Sequence, residues 1–459
     1  MKAKKPTNSY IITVYTITVS AILIAAGLIA GIRTGRGDAV FADLLKIMLS
    51  PSKSLTDYFG FGHIAAAYIN AGLCGLAVII PYILMKAELG AGAMTAYFLV
   101  IAHAFFGKNI LNIWPCMIGC ALFYKIRKIE VKKQWHVCCF TSCFGPMISE
   151  FLFRYTLDEF DAANPTVTPA AVALTVLCGL FVGFVFPFVL TFTGKISKGY
   201  NLYNAGLAGG VIGTVLCTLM FKLPGKTLYP AMPVDSADYE LHGHSYFVFS
   251  CVVYGAVALV GLLMGREYNG KTFDGYGKLL HCKNGAFIDK FGMPQCLINL
   301  GTYGFYLLLI YITIIQLTPM LPPELVASAV GFTGPTAGAM FAALSFACTA
   351  QSPSNTWPII SGYVIYSLFS LAAFSNWTLS SQPFLCTMAF ATGLCPIVQK
   401  RGKLWGIVAG IIAAALCTYP VKLHGGLMIY NSGFNAGLVA VIMVIIFAII
   451  DSLKKKKVN

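Results

Sequence analysis

This sequence predicts an all-α integral membrane protein: about fourteen transmembrane helices arranged as two seven-helix repeats of inverted topology. Three observations predict it. First, 58% of the 459 residues are hydrophobic and only 11% are charged, against roughly 25% charged in a soluble domain. Second, apolar runs of about 20 residues, the length that crosses a bilayer, recur from Tyr10 to Ile450. Third, a series of short motifs occurs twice in the same order. The composition excludes a soluble enzyme, a nucleic-acid binder and a secreted disulfide scaffold.

The runs follow in order. In the first half they are about 10–32, 60–85, 89–106, 110–126, 135–153, 169–192 and 202–222. In the second they are about 246–265, 292–317, 325–350, 356–374, 379–398, 404–420 and 434–451. Lys2, Lys4 and Lys5 before the first run resemble the start of a signal peptide. That run is about 23 residues, longer than an h-region of 7–15, and it has a counterpart in the eighth run, so it reads as a retained helix. The runs at 89–106 and 325–350 are rich in Gly, Ala and Pro and are the two that re-enter if any does.

The doubled motifs set two domains, 1–240 and 241–459. Gly27 to Arg33 matches Gly261 to Arg266, and Asp57-Tyr58-Phe59-Gly60 matches Asp289-Lys290-Phe291-Gly292. Ile69-Asn70-Ala71-Gly72 matches Ile298-Asn299-Leu300-Gly301, and Gly92-Ala93-Met94 matches Gly338-Ala339-Met340. Asn112-Ile113-Trp114-Pro115 with Gly119 matches Asn355-Thr356-Trp357-Pro358 with Gly362. Tyr200-Asn201 and Asn204-Ala205-Gly206-Leu207 match Tyr430-Asn431 and Asn435-Ala436-Gly437-Leu438. The offsets are roughly 230 to 245 residues, and an ordered series at one period is the mark of internal duplication. Seven crossings are odd, so the second half enters from the opposite face, the arrangement of many secondary transporters.

The net charge of +15 comes from 32 Lys and Arg against 17 Asp and Glu. The basic residues cluster between apolar runs, at 125–133, 400–403 and 454–457, so membrane orientation explains them better than nucleic acid does. With both termini cytoplasmic, 23 Lys and Arg fall inside and 9 outside. Asp158, Glu159, Asp161 and Asp235, Asp238, Glu240 then fall outside, and Arg33, Arg36, Lys46 and Lys53 are the exception. The 15 Cys contain no C-x-x-C pair; Cys116 with Cys120, or Cys138, Cys139 and Cys143, read as buried small hydrophobes rather than metal ligands.

A polar residue that recurs in both halves of a membrane interior invites a functional reading. The candidate substrate-binding residues are therefore Asn70 with Asn299, Asn112 and Trp114 with Asn355 and Trp357, and Asn204 with Asn435. The alternative is that these amides tie helix ends together. Pro115 and Pro358 deny a donor and hold the preceding Trp extended, so each Asn-x-Trp-Pro stretch reads as a helix break or an interhelical loop. Glu150 and His103 are candidates for proton coupling. Against this, Arg154 lies four residues beyond Glu150, an i,i+4 ion pair, and a lone His is a common helix contact. Asp57 and Asp289 read as helix caps. No P-loop, H-E-x-x-H or G-x-S-x-G is present, so no cofactor, metal or catalytic residue is assigned and the chain is not expected to be an enzyme.

The Asp-x-Phe-Gly, Asn-Ala-Gly-Leu and Asn-x-Trp-Pro motifs resemble a family of uncharacterised bacterial multi-pass membrane proteins, known as a domain of unknown function. The resemblance covers essentially the whole chain and implies a bacterial inner-membrane setting. In outline the count is also similar to nucleobase and anion transporters, whose third and tenth segments are broken at the substrate site; here those are 89–106 and 325–350. The expected function is a secondary transporter or channel for a small polar solute or ion, with its site between the halves. The partners are that solute, the lipid bilayer and, as an option, further copies of the chain. The alternatives are a non-transporting assembly protein or a membrane-embedded enzyme, for which the Asp235, Asp238, Glu240, His242, His244 stretch is the one polar cluster available.

Overall fold

Each of the fourteen apolar runs contains helix, and the described residues contain no strand, only one isolated bridge between Asp57 and Phe106. The structure is a computed structural model that describes residues 6–53, 56–157, 160–161, 164–283, 285–326 and 332–456. Lys2, Lys4, Lys5, Asp158, Glu159 and Lys457 lie outside them. In the first half the helices are α1 (Asn8–Arg33), α2 (Val40–Met48), α3 (Tyr58–Gly62), α4 (Ile64–Leu84), α5 (Ala91–His103), α6 (Trp114–Ile126), α7 (Val131–Phe140), α8 (Gly145–Phe153), α9 (Pro169–Ile196) and α10 (Asn204–Cys217). In the second they are α11 (Ser236–Tyr268), α12 (Tyr276–Leu280), α13 (Phe287–Leu317), α14 (Gly334–Ala343), α15 (Pro353–Phe374), α16 (Gln382–Ala391), α17 (Cys395–Arg401), α18 (Lys403–Leu416), α19 (Pro420–Leu423) and α20 (Asn431–Lys456).

Among the described residues, nine helical stretches are long and apolar enough to cross a membrane. Three others, α5, α6 and α18, are apolar but short. In the runs at 89–106 and 325–350, α5 ends at His103 and α14 at Ala343, and irregular backbone follows each; the runs at 135–153 and 379–398 are also interrupted, between α7 and α8 and between α16 and α17. Irregular backbone in an apolar setting must find its hydrogen bonds inside the protein. Asn70 on α4 supplies them for the first break, donating to the Ala104 carbonyl at 2.7 Å and the Lys108 carbonyl at 2.9 Å. Asn299 on α13 supplies them for the second, donating to Ala347 at 2.8 Å and Gln351 at 2.7 Å.

Such contacts recur throughout. A Cβ on Gly183 would lie 2.0 Å from the Cys116 carbonyl and one on Gly119 would lie 2.3 Å from Leu180, which locks α6 to α9. Gly410 against Ile359 and Gly362 against Ile407 lock α15 to α18 in the same way. Gly27 packs on the Ala65 carbonyl, and Gly72 on that of Ser20; Gly265 packs on Pro294, and Gly301 on Ala258. The last set corrects one motif match by a helical turn: Gly27 shares its role with Gly265, not Gly261. The matching positive-φ residue before the long helix is His63 (φ 71°) in α4 and Gly292 (φ 77°) in α13. Asp57 therefore shares its place with Ala286, and Asp289 is an exposed residue one turn further on. Likewise Thr95, not Gly92, corresponds to Gly338: the Thr95 hydroxyl donates to the Ser345 carbonyl, while Gly338 abuts the Ala102 carbonyl.

α1 and α11 run antiparallel. The Tyr15 hydroxyl donates to the Val257 carbonyl, and Arg33 at the end of α1 faces His242 and His244 at the start of α11. The acidic stretch before α11 is thus a helix start rather than a free loop. Asp235 is its N-cap, bonded to the Asp238 amide, and Asp238 accepts from Tyr246.

Candidate functional site

α10 and α20 begin inside the bundle, and their first turns cross. A Cβ on Gly206 would lie 2.5 Å from the Gly433 backbone. Leu207 packs on Gly437, and Phe434 packs on Gly210. The chain ahead of each helix is held by the opposite half: the Leu202 amide donates to the Gly393 carbonyl between α16 and α17, and the Ile429 amide donates to Cys143 between α7 and α8.

Tyr203 and Tyr430 are the residues just ahead of the two helices. Their amides donate the same kind of local tie, Tyr203 N–H to Asn201 Oδ1 at 2.9 Å and Tyr430 N–H to Met428 Sδ at 2.8 Å. This register, 227 residues, makes Asn204 and Asn431 the matching helix-first residues. The sequence matches of Asn204 with Asn435, and of Asn201 with Asn431, are out of step by a few residues.

The surroundings of the two tyrosines differ in charge. The Tyr203 hydroxyl meets the Ala342 carbonyl at 3.1 Å and the Ser345 hydroxyl at 3.0 Å, and its ring lies 4.7 Å from that of Phe346. The Tyr430 hydroxyl accepts from the Lys108 ammonium at 2.9 Å, and its ring lies 4.7 Å from that of His103. The Lys108 ammonium also sits 4.4 Å over the Tyr430 ring and 3.5 Å from the Leu99 carbonyl, which His103 Nδ1 meets at 2.7 Å. Lys108 is fully buried, and among the described residues no carboxylate pairs with it.

A cavity of about 270 Å³ opens beside this crossing. Its walls include Thr95 and Leu99 of α5, His136 of α7, the first turn of α10 from Asn204 to Gly206, and the side chains of Tyr203 and Tyr430. The Thr349 hydroxyl, on the same wall, has no partner among the described residues. No Asp or Glu lines the cavity. A larger groove, about 790 Å³, runs between α1 and α11, but outward-facing, exposed Ile29, Val248 and Val252 wall it.

The structure scatters the sequence candidates. Asn112 accepts from the Asn109 amide and donates to Gly107 and Ser149; Asn355 accepts from the Ser352 amide and donates to Ala350. Asn70 and Asn299 are bound to the helix breaks as described. These four amides are buried ties to their own chain. Trp114 donates to the Ile110 carbonyl, and Trp357 is 38% exposed under Lys403. Asn435 is buried and donates to Ala413. Of the set only Asn204 borders the cavity, where it donates to the Asn201 carbonyl and accepts from Ser197. Glu150 is bound bidentately by Arg154, at 3.0 and 2.7 Å. His103 lies within the Tyr430 cluster. Sequence reasoning passed over Lys108, Tyr203 and Thr95; the signal for Lys108 was available, because the Asn-x-Trp-Pro match aligns this lone lysine with Gln351.

The family described as "Protein of unknown function (DUF1576)" matches the chain twice, at residues 37–222 and 268–449. No curated protein and no solved structure matches it.

Proposed function

The chain belongs to that family of unknown function, and from this premise we propose that it is a secondary transporter or channel for a small polar solute or ion, built as an inverted duplication of seven-segment halves. The observation that carries the reading is the crossing of two helix N-termini inside the bundle beside an open cavity. The positive ends of two helix dipoles meet there, and in membrane transporters such interior helix starts hold the solute. The antiparallel course of α1 and α11 and the recurrence of each helix clasp support the inverted duplication. In this reading the fourteen runs cross the bilayer, with broken segments at α5 and α14. The basic clusters at 125–133 and 400–403 lie on the cytoplasmic face of a bacterial inner membrane, with both termini.

The test is solute flux in proteoliposomes against a panel of small metabolites and ions, with Ala91→Phe alongside. Ala91 is a partly exposed residue at the cavity edge, away from the helix crossing. Flux in the wild type, lost in a monodisperse Ala91→Phe protein, supports the reading. Flux unchanged by the plug, or none across the panel, overturns it and leaves a non-transporting assembly role.

A further inference from the structure

The two tyrosine sites at the helix crossing occupy matching places, yet one carries a buried lysine and the other none. Where the second half has Phe346, Gln351 and the Ala342 carbonyl, the first has His103, Lys108 and the Leu99 carbonyl. The matching is fixed by contacts rather than by spacing alone: Asn70 holds the Lys108 carbonyl as Asn299 holds that of Gln351. Gln351 fills its position with a neutral amide that donates to Thr392 at 2.8 Å. The fold therefore does not require a charge at this position.

An unpaired ammonium in a protein interior is costly. The groups that face it are the Tyr430 hydroxyl, the His103 ring and the thiols of Cys74, Cys139 and Cys143. The Leu99 carbonyl at the end of α5 offers only a partial negative charge. Tyr430 and Leu99, which Lys108 contacts, also line the cavity, together with the first turn of α10. Among the described residues no carboxylate lines that space.

We propose that the cavity takes a small anion, and that Lys108, acting across Tyr430, is its counter-charge, supplied by the first half alone. This deepens the transport reading and rests on it. Lys108 is a positioning charge: Tyr430, the unpartnered Thr349 hydroxyl and the α10 amides touch the anion, and Lys108 sets the field they work in. In a low-dielectric interior a unit charge one side chain away still weights anion binding by about tenfold or more.

The experiment uses purified full-length protein and thermal unfolding. Sodium lactobionate, whose anion is too large for the cavity, is replaced at constant ionic strength by sodium chloride, nitrate, acetate or phosphate. In parallel sodium is replaced by potassium, and glycerol and urea are added as neutral probes. The wild type is expected to be stabilised by at least one of the four anions and by none of the cation or neutral changes. Lys108→Gln, which copies Gln351, is expected to fold and to bind that anion about tenfold more weakly or worse; Lys108→Arg is expected to bind within about threefold of the wild type. An anion affinity unchanged in Lys108→Gln, or a response to the neutral or cation changes alone, overturns the proposal. Should Lys108→Gln fail to fold, the wild-type preference decides between anion and other solutes. A neutral solute whose flux is blocked by Ala91→Phe but indifferent to Lys108→Gln refutes the anion and keeps the transporter. A protein that neither binds nor moves any probe refutes both.

Discussion

Removing either partner of the Glu150–Arg154 pair should unfold the protein more easily, whereas removing both should restore much of the loss. The two side chains are 1% and 7% exposed. Arg154 reaches Glu150 through two nitrogens, donates a third bond to the Pro230 carbonyl at 3.2 Å and stacks 4.8 Å over the Tyr229 ring. A buried ion left without its partner costs about 3–5 kcal/mol, while an isosteric neutral pair is close to neutral. Glu150→Gln keeps one acceptor, so about 3 kcal/mol is expected; Arg154→Met strands a carboxylate and loses the Pro230 tie, so about 4–5 kcal/mol is expected. The double variant should lose no more than about 2 kcal/mol, well short of the sum. Equilibrium unfolding in mixed detergent–SDS micelles, followed by tryptophan fluorescence, measures all four proteins. Additive losses below about 0.5 kcal/mol each would refute the structural reading of the pair. Loss of an ion-driven current in a Glu150→Gln protein of full stability would restore the carboxylate as a coupling site.

Three further outcomes follow from the same contacts. Asn70→Ala and Asn299→Ala each remove two donated bonds to helix-break carbonyls, so each should lose about 1–3 kcal/mol in the same unfolding assay; any solute response should keep its affinity. Gly183→Ala and Gly410→Ala place a Cβ 2.0 and 2.2 Å from carbonyl oxygens; prying apart α6 from α9, or α15 from α18, should cost about 1–3 kcal/mol in either case. Burial raises Asp57 to about 6, although Tyr239 and the Phe59 and Gly334 amides bond it. A carboxyl that holds its proton more tightly folded than unfolded stabilises most at low pH. The stability of the wild type relative to Asp57→Asn should therefore fall by up to about 3 kcal/mol as pH rises from 4 to 6. A flat difference across that window would show that the carboxyl is ionised throughout.

Much of the fold was legible because bilayer-length apolar runs and repeated small residues follow from the solvent. Every run predicted from hydropathy contains helix; the two Gly, Ala and Pro-rich runs are interrupted, but so are those at 135–153 and 379–398, which carried no such signal. The Asn-x-Trp-Pro match survives in three dimensions, because Asn112 and Asn355 do the same job at the same offset. Other matches slipped by one to four residues. Gly27 resembled Gly261 by its neighbours, yet a helix clasp depends on which residue faces a carbonyl, and that residue is Gly265. Nothing in a one-dimensional pattern distinguishes two glycines a helical turn apart.

The candidate site was harder to read for a related reason. Recurrence in both halves suggests function, but in the proposed duplication recurrence first reports what both halves need in order to fold. Broken helices need side-chain donors for their last carbonyls, so the recurring Asn70 and Asn299 are ties. A transported solute has no need for the same chemistry twice. If the two halves exchange conformations around one solute, the groups that recognise it are freed from the symmetry that the scaffold must keep. The informative positions are then those where the scaffold matches and the chemistry departs: Lys108 against Gln351, and His103 against Phe346. Departures that stay in the fold's register, at a cavity and against an unfavourable burial of charge, are better pointers to function than the repeated motifs that reveal the duplication.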